Sequence, residues 1–153
     1  MRYVAVCVFL TALAASPAAA ADPACTGPAS PVRLIVNVDG VRSSDGLVAV
    51  TLYADIRKRF LAKRGALYVG RVKAQQGRTR VCNHLPKTGV YGLAVYHDAD
   101  GDRGFDKTKL GLPAEGFGFS RNAPTLFGLP NFTHVRMNVP RNGMSTTLKL
   151  KYP

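Results

Sequence analysis

The chain has 153 residues, 46% of them hydrophobic and 20% charged, with a formal net charge of +12. That length supports one domain with one sizeable core and leaves no room for a second domain carrying separate chemistry. Aliphatic and aromatic residues recur throughout, which excludes intrinsic disorder, and no apolar run after Ala21 approaches the roughly eighteen residues of a membrane span.

Met1 and Arg2 give a short basic start, residues 4–13 an apolar stretch, and Ala18, Ala19 and Ala20 a small-residue cleavage site. This pattern predicts a secretory signal peptide over residues 1–21 and an exported protein, periplasmic or secreted. Its removal takes Cys7 with it and leaves Cys25 and Cys82, which in an oxidising setting have one possible pairing. Residues 22–31, rich in small residues and proline, read as a tail ahead of a single domain over 32–153.

Residues 32–38 mix alternation with β-branched residues and stop at Asp39-Gly40, a strand ended by a turn. Asp45-Gly46 opens a second strand over 47–53, whose Val48, Val50 and Leu52 form a wholly apolar face. Residues 55–64 have the one plausible helical period, with Ile56, Phe60 and Leu61 on one side, and predict a short helix or ordered loop. Strands follow over 66–73 and 77–85, and then over 90–97, where Tyr91, Leu93, Val95 and His97 share a face. Residues 98–131 have no periodicity and hold six glycines and three prolines, a long loop of the kind that carries function in small domains. Two closing strands, 132–139 and 145–152, are joined through Asn142-Gly143 as a tight hairpin, and Lys149 and Lys151 guard the last edge. About seven short strands predict an all-β, single-domain antiparallel β-sandwich, immunoglobulin-like or prealbumin-like, with one long ordered loop.

Loss of the leader leaves 20 basic against 9 acidic residues, near +11. So basic an exported protein is drawn to anionic envelope polymers or to another envelope protein, while no signature of specific nucleic-acid binding is present. Five of the nine acids, Asp98, Asp100, Asp102, Asp106 and Glu115, fall within 18 residues. Carboxylates at alternate positions, separated by glycines, can turn several oxygens toward one hard cation such as a structural Ca²⁺. The spacing is that of the start of an EF-hand loop, but Arg103 stands at the glycine position and Lys109 at that of the bidentate glutamate. An EF-hand proper is excluded; a calcium loop closing a β-sandwich hairpin remains, with Glu115 as a late ligand. The same aspartates could instead form Asx-turns without an ion, partly neutralised by Arg103, Lys107 and Lys109, and the residues leave both readings open.

Ser120 lacks the second glycine of a nucleophile elbow, and His84, His97 and His134 have no zinc-ligand spacing, so no catalytic residue is assigned. Phe117, Phe119 and Phe127 fold the long loop back over the sandwich, and His97, Phe117, Phe119 and Ser120 form the expected binding surface.

Residues 46–53, residues 89–98, then Asp100-Gly101-Asp102 with Asp106, and residues 111–120 with Gly116-Phe117-Gly118-Phe119-Ser120 together resemble DUF2141, a family of uncharacterised exported bacterial proteins. The resemblance covers nearly the whole mature chain. It implies a β-sandwich of the Gram-negative envelope or its surroundings and implies no reaction. Where such relatives often carry Asn in the acidic loop this chain has Asp100 and Asp102, which favours a cation. The expected function is therefore a non-enzymatic exported module whose acidic loop orders a recognition surface. The alternatives are a metal-dependent hydrolase using the 97–106 loop and an envelope protein acting through its basic face.

Overall fold

The computed structural model describes residues 24–125 and 128–153. The expected signal peptide with Cys7, and Phe127, lie outside the described residues. Nine strands and one α-helical turn follow in order among the described residues: β1 (Cys25–Thr26), β2 (Arg33–Val41), β3 (Leu47–Ala54), β4 (Tyr68–Lys73), β5 (Gly77–His84), β6 (Gly89–Asp98), β7 (Gly116–Phe119), α1 (Phe132–Val135), β8 (Met137–Val139) and β9 (Met144–Lys149). One sheet has the order β1-β5-β2-β9, the other β4-β3-β6-β7, with β8 pairing on β6 beside β7. Among the described residues no helix is long and apolar enough to cross a membrane.

Alternation builds the sandwich. Leu34, Val36 and Val38 of β2, Val81 of β5 and Leu148 of β9 enter one core cluster with Val48, Val50 and Leu52 of β3 and Leu93 and Val95 of β6. These side chains are essentially inaccessible. Each one buried stabilises the fold by roughly 1.5–3 kcal/mol before chain entropy is counted. The disulfide Cys25–Cys82 forms across the β1–β5 pair and ties the N-terminal residues to the first sheet.

Several elements differ from their sequence expectation. The tail contributes β1, because Thr26 and Cys25 pair in parallel with Asn83 and Cys82. β2 does not stop at Asp39-Gly40 but runs on to Val41 through a register shift, with Gly40 at φ +77° supplying the left-handed residue of a bulge. Residues 55–64 hold a single 3-10 turn, Arg57–Arg59, with Phe60 and Leu61 packed inward and Ile56 exposed.

Residues 98–131 contain β7, whose glycines weaken any strand pattern but are needed where they stand. A Cβ on Gly116 would lie 2.3 Å from the Tyr152 ring, and one on Gly118 2.9 Å from the Lys149 carbonyl. Residues 132–139 are half helical, since the Asn131 side chain caps Thr133 N–H and starts α1. The closing hairpin does not form: β8 pairs with β6 in one sheet, while β9 crosses to pair in parallel with β2 in the other. Both faces of β3 are buried, because Phe119, Ala123, Phe132 and Val135 make a second apolar cluster on the outside of the five-stranded sheet.

Candidate metal centre

β6 delivers Asp98 as its last residue, and the chain then curls. Gly101 (φ +75°) and Arg103 (φ +69°) both take the left-handed conformation that lets a run of alternating aspartates wrap around a point. Arg103 thus adopts the backbone state that the glycine of an EF-hand loop supplies, without the glycine. Its N–H donates to Asp98 Oδ2 at 3.0 Å, Asp102 N–H to Asp100 Oδ1 at 3.2 Å and Gly104 N–H to Asp102 Oδ1. Carboxylate oxygens of Asp98, Asp100 and Asp102 lie within 4.8 Å of one another, and so do those of Asp100, Asp106 and Glu115. Asp100 belongs to both groups, so the five predicted ligands fall into two adjoining triads.

Glu115 returns at the head of β7, 9% exposed, and its two oxygens accept from Ala99 N–H at 3.3 Å and Asp106 N–H at 3.1 Å. Asp98 is fully buried, and its Oδ1 has no hydrogen-bond partner among the described residues. A buried carboxylate oxygen left bare is costly in an apo protein and is the group that a cation would satisfy.

Burial raises the Glu115 pKa above the ordinary carboxylate range, against the two N–H donors, and the charges of Asp98 and Asp106 raise it further. Asp106 is also raised, by desolvation first and then by Asp102, Asp100 and Asp98. Among the described residues no ion pair joins Arg103, Lys107 or Lys109 to these carboxylates; the pairs Arg78–Asp39 and Arg136–Asp55 lie elsewhere. The neutralisation expected from the three local cations is therefore not made by contact.

Residues 36–147 match the family model of DUF2141, described as an uncharacterized protein conserved in bacteria. The chain belongs to DUF2141. The matched span runs from within β2 into β9, so the five-stranded sheet and the whole acidic loop of this DUF2141 chain lie inside the family region, and β1 lies outside it. No curated protein and no solved structure matches the chain.

The expected binding surface is only partly a surface in this DUF2141 chain. His97, 2% exposed, has Nδ1 2.9 Å from the Tyr152 hydroxyl and Nε2 2.9 Å from the Asp45 carbonyl. Ser120 is fully buried, accepting from Leu93 N–H at 3.0 Å and donating to the Val135 carbonyl. Both are internal cross-links: His97 shares the core face of β6 with Leu93 and Val95, and Ser120 lies under the outer cluster beside Val135. Phe119 is buried in that cluster and Phe117 half-buried beside it.

Supporting residues were not visible from sequence. Arg71 of β4 and the Tyr96 hydroxyl both donate to the Arg103 carbonyl, at 3.1 and 3.2 Å, and clamp the loop. Their signal is register: Arg71, Ala49, Tyr96 and Phe117 form one row across the sheet. Gly46 (φ +62°) lies so close to the loop base that a Cβ would fall 1.9 Å from the Asp98 carbonyl.

Proposed function

We propose that this chain is a non-enzymatic, cation-binding module of the bacterial envelope or its surroundings. Its 98–115 loop takes Ca²⁺, and the ion fixes the loop over the outer face of the five-stranded sheet as a recognition surface. The observation that carries this reading is the buried, unpartnered Oδ1 of Asp98, in a carboxylate triad that adjoins a second one through Asp100. Oxygen donors alone, several of them charged, suit a hard cation, and the adaptable spacing of a curled loop suits Ca²⁺ better than Mg²⁺ with its strict octahedron. Export is supported by the leader-like N-terminus and by the Cys25–Cys82 bridge. A hydrolase built on His97 loses support, since both ring nitrogens are engaged inside the protein.

The test is a thermal melt in chelator and across Ca²⁺ and Mg²⁺ titrations, for the wild type and for Asp98→Asn. A ligand of the native state raises the midpoint with its own concentration. A Ca²⁺-dependent rise in the wild type, absent from the variant, supports the reading; no rise with either ion overturns it. A second reading uses the exposed Arg57, Lys58, Arg59, Lys63 and Arg64 as a basic face for anionic polymer. Its mark is binding that weakens steeply with salt and persists in Asp98→Asn.

A further inference from the structure

The outer face of the five-stranded sheet carries a hollow whose origin is the strand register. Thr51 and Ala94 pair across β3 and β6 and put two small side chains at its floor. Large rings stand around them. Tyr96 touches Phe105 (5.4 Å between centroids), Phe105 touches Phe117 (6.1 Å), Phe117 touches Phe119 (6.1 Å), Phe119 touches Phe60 (6.1 Å) and Phe60 touches Tyr53 (5.1 Å). Five rings of this arc, Tyr53, Tyr96, Phe105, Phe117 and Phe119, line an open cavity of about 670 Å³, within the range of small-molecule sites.

One wall is a flap. Residues 106–114 fold into a small hairpin, with a Lys107–Pro113 bridge, Thr108 N–H to the Leu112 carbonyl at 2.8 Å and Ala114 N–H to the Asp106 carbonyl at 2.9 Å. The flap brings Leu112 and Lys107 to the cavity, and its base is gripped by Glu115 through Asp106 N–H. The hydroxyl of Tyr96 is engaged with the Arg103 carbonyl, so this tyrosine offers the hollow its ring. Lys107 is the charged residue of the described lining; it is exposed and has no ion pair among the described residues.

We propose that this hollow binds a flat aromatic carboxylate, its ring held edge-to-face within the arc and its carboxylate paired with Lys107. Aromatic walls favour an aromatic guest by offset and edge contacts, and a single unpaired ammonium at the mouth selects an anion over a cation. This names the ligand class of the recognition surface proposed above and rests on that reading only where the cation holds the flap.

The test uses 2-naphthoate as probe, titrated calorimetrically into the mature, oxidised protein, first in Ca²⁺ and then in chelator. Saturable one-to-one binding is expected, about tenfold weaker in Lys107→Gln, as loss of one charge-assisted hydrogen bond requires. Ala94→Phe, which fills the floor, should abolish it; Lys107→Gln alters only an exposed side chain and remains decisive if Ala94→Phe fails to fold. No saturable binding in Ca²⁺, equal binding by Lys107→Gln, or stronger binding of a naphthyl-trimethylammonium overturns the proposal. So does sedimentation showing that a second copy of the chain covers the face. Naphthoate binding without any Ca²⁺ effect on melting or affinity leaves the pocket standing and sinks the cation reading. A Ca²⁺-dependent melt without naphthoate binding does the reverse.

Discussion

Glu115 closes the acidic loop at the head of β7, and its burial makes it sensitive to pH. Burial raises the folded-state pKa of Glu115 above the ordinary 4.5, so the folded apo protein holds its proton more tightly than the unfolded chain does. That contribution is complete below pH 4.5 and is lost as the pH rises through the raised value. In chelator, the wild type should therefore lose stability relative to Glu115→Gln over that rise; in saturating Ca²⁺ at neutral pH the order should reverse. Melting temperatures across pH, with and without Ca²⁺, check both halves.

Tyr68 behaves similarly at the alkaline end: burial pushes its pKa up to about 12 from an ordinary 10.0, and its hydroxyl donates to the His84 carbonyl at 2.5 Å. Alkaline destabilisation between pH 10 and 12 should be milder in Tyr68→Phe than in the wild type. Ser120→Ala is expected to cost roughly 1–3 kcal/mol, because it strands the buried Leu93 N–H, and chemical denaturation measures this directly.

At the scale of elements, glycines decide where strands may touch. β7 is flat against the C-terminal chain: Phe117 exchanges both backbone hydrogen bonds with Lys151, at 2.9 and 2.8 Å, and this works only because Gly116 and Gly118 have no side chains there. Gly116→Val should detach the end of the chain from β7, seen as faster amide exchange at Phe117 and Lys151 with the β2–β5 pair still protected. Gly46 is more constrained, combining a left-handed φ with contact against the Asp98 carbonyl. Gly46→Ala is expected to destabilise by about 2 kcal/mol or more and to weaken any Ca²⁺ effect, since the displaced backbone carries Asp98. The same short-range logic explains why the 132–139 strand and its hairpin were misread. A side-chain cap and a crossover between sheets leave no mark on the alternation of apolar residues.

For the molecule as a whole, the first sheet is stapled and the second is clamped. The bridge joins residues 57 positions apart, and in the chain-entropy model its reduction costs about 4 kcal/mol. Reduced protein should melt well below the oxidised form, by roughly 10 °C or more for a domain of this size. On the proposed function, Ca²⁺ would act on the opposite sheet by mass action, adding about 2.7 kcal/mol at a hundred times its dissociation constant. The two effects involve separate sheets and should add, which a melt of reduced protein in Ca²⁺ measures.

Alternation and composition were enough to determine an all-β sandwich, the core face of β3, the pairing of Cys25 with Cys82, and the clustering of acids in one loop. Those features depend on period-two burial, on the scarcity of cysteines and on spacing along a continuous segment, all of which can be read from the sequence. Tertiary structure alone decided that Glu115 meets Asp106, that Arg71 and Tyr96 clamp Arg103, that His97 and Ser120 are internal, and that β9 crosses to the other sheet. It also closed the aromatic arc around Thr51 and Ala94. Each of these depends on which strands become neighbours and in what register, and register is set by the packing of the whole sandwich rather than by any single stretch of chain.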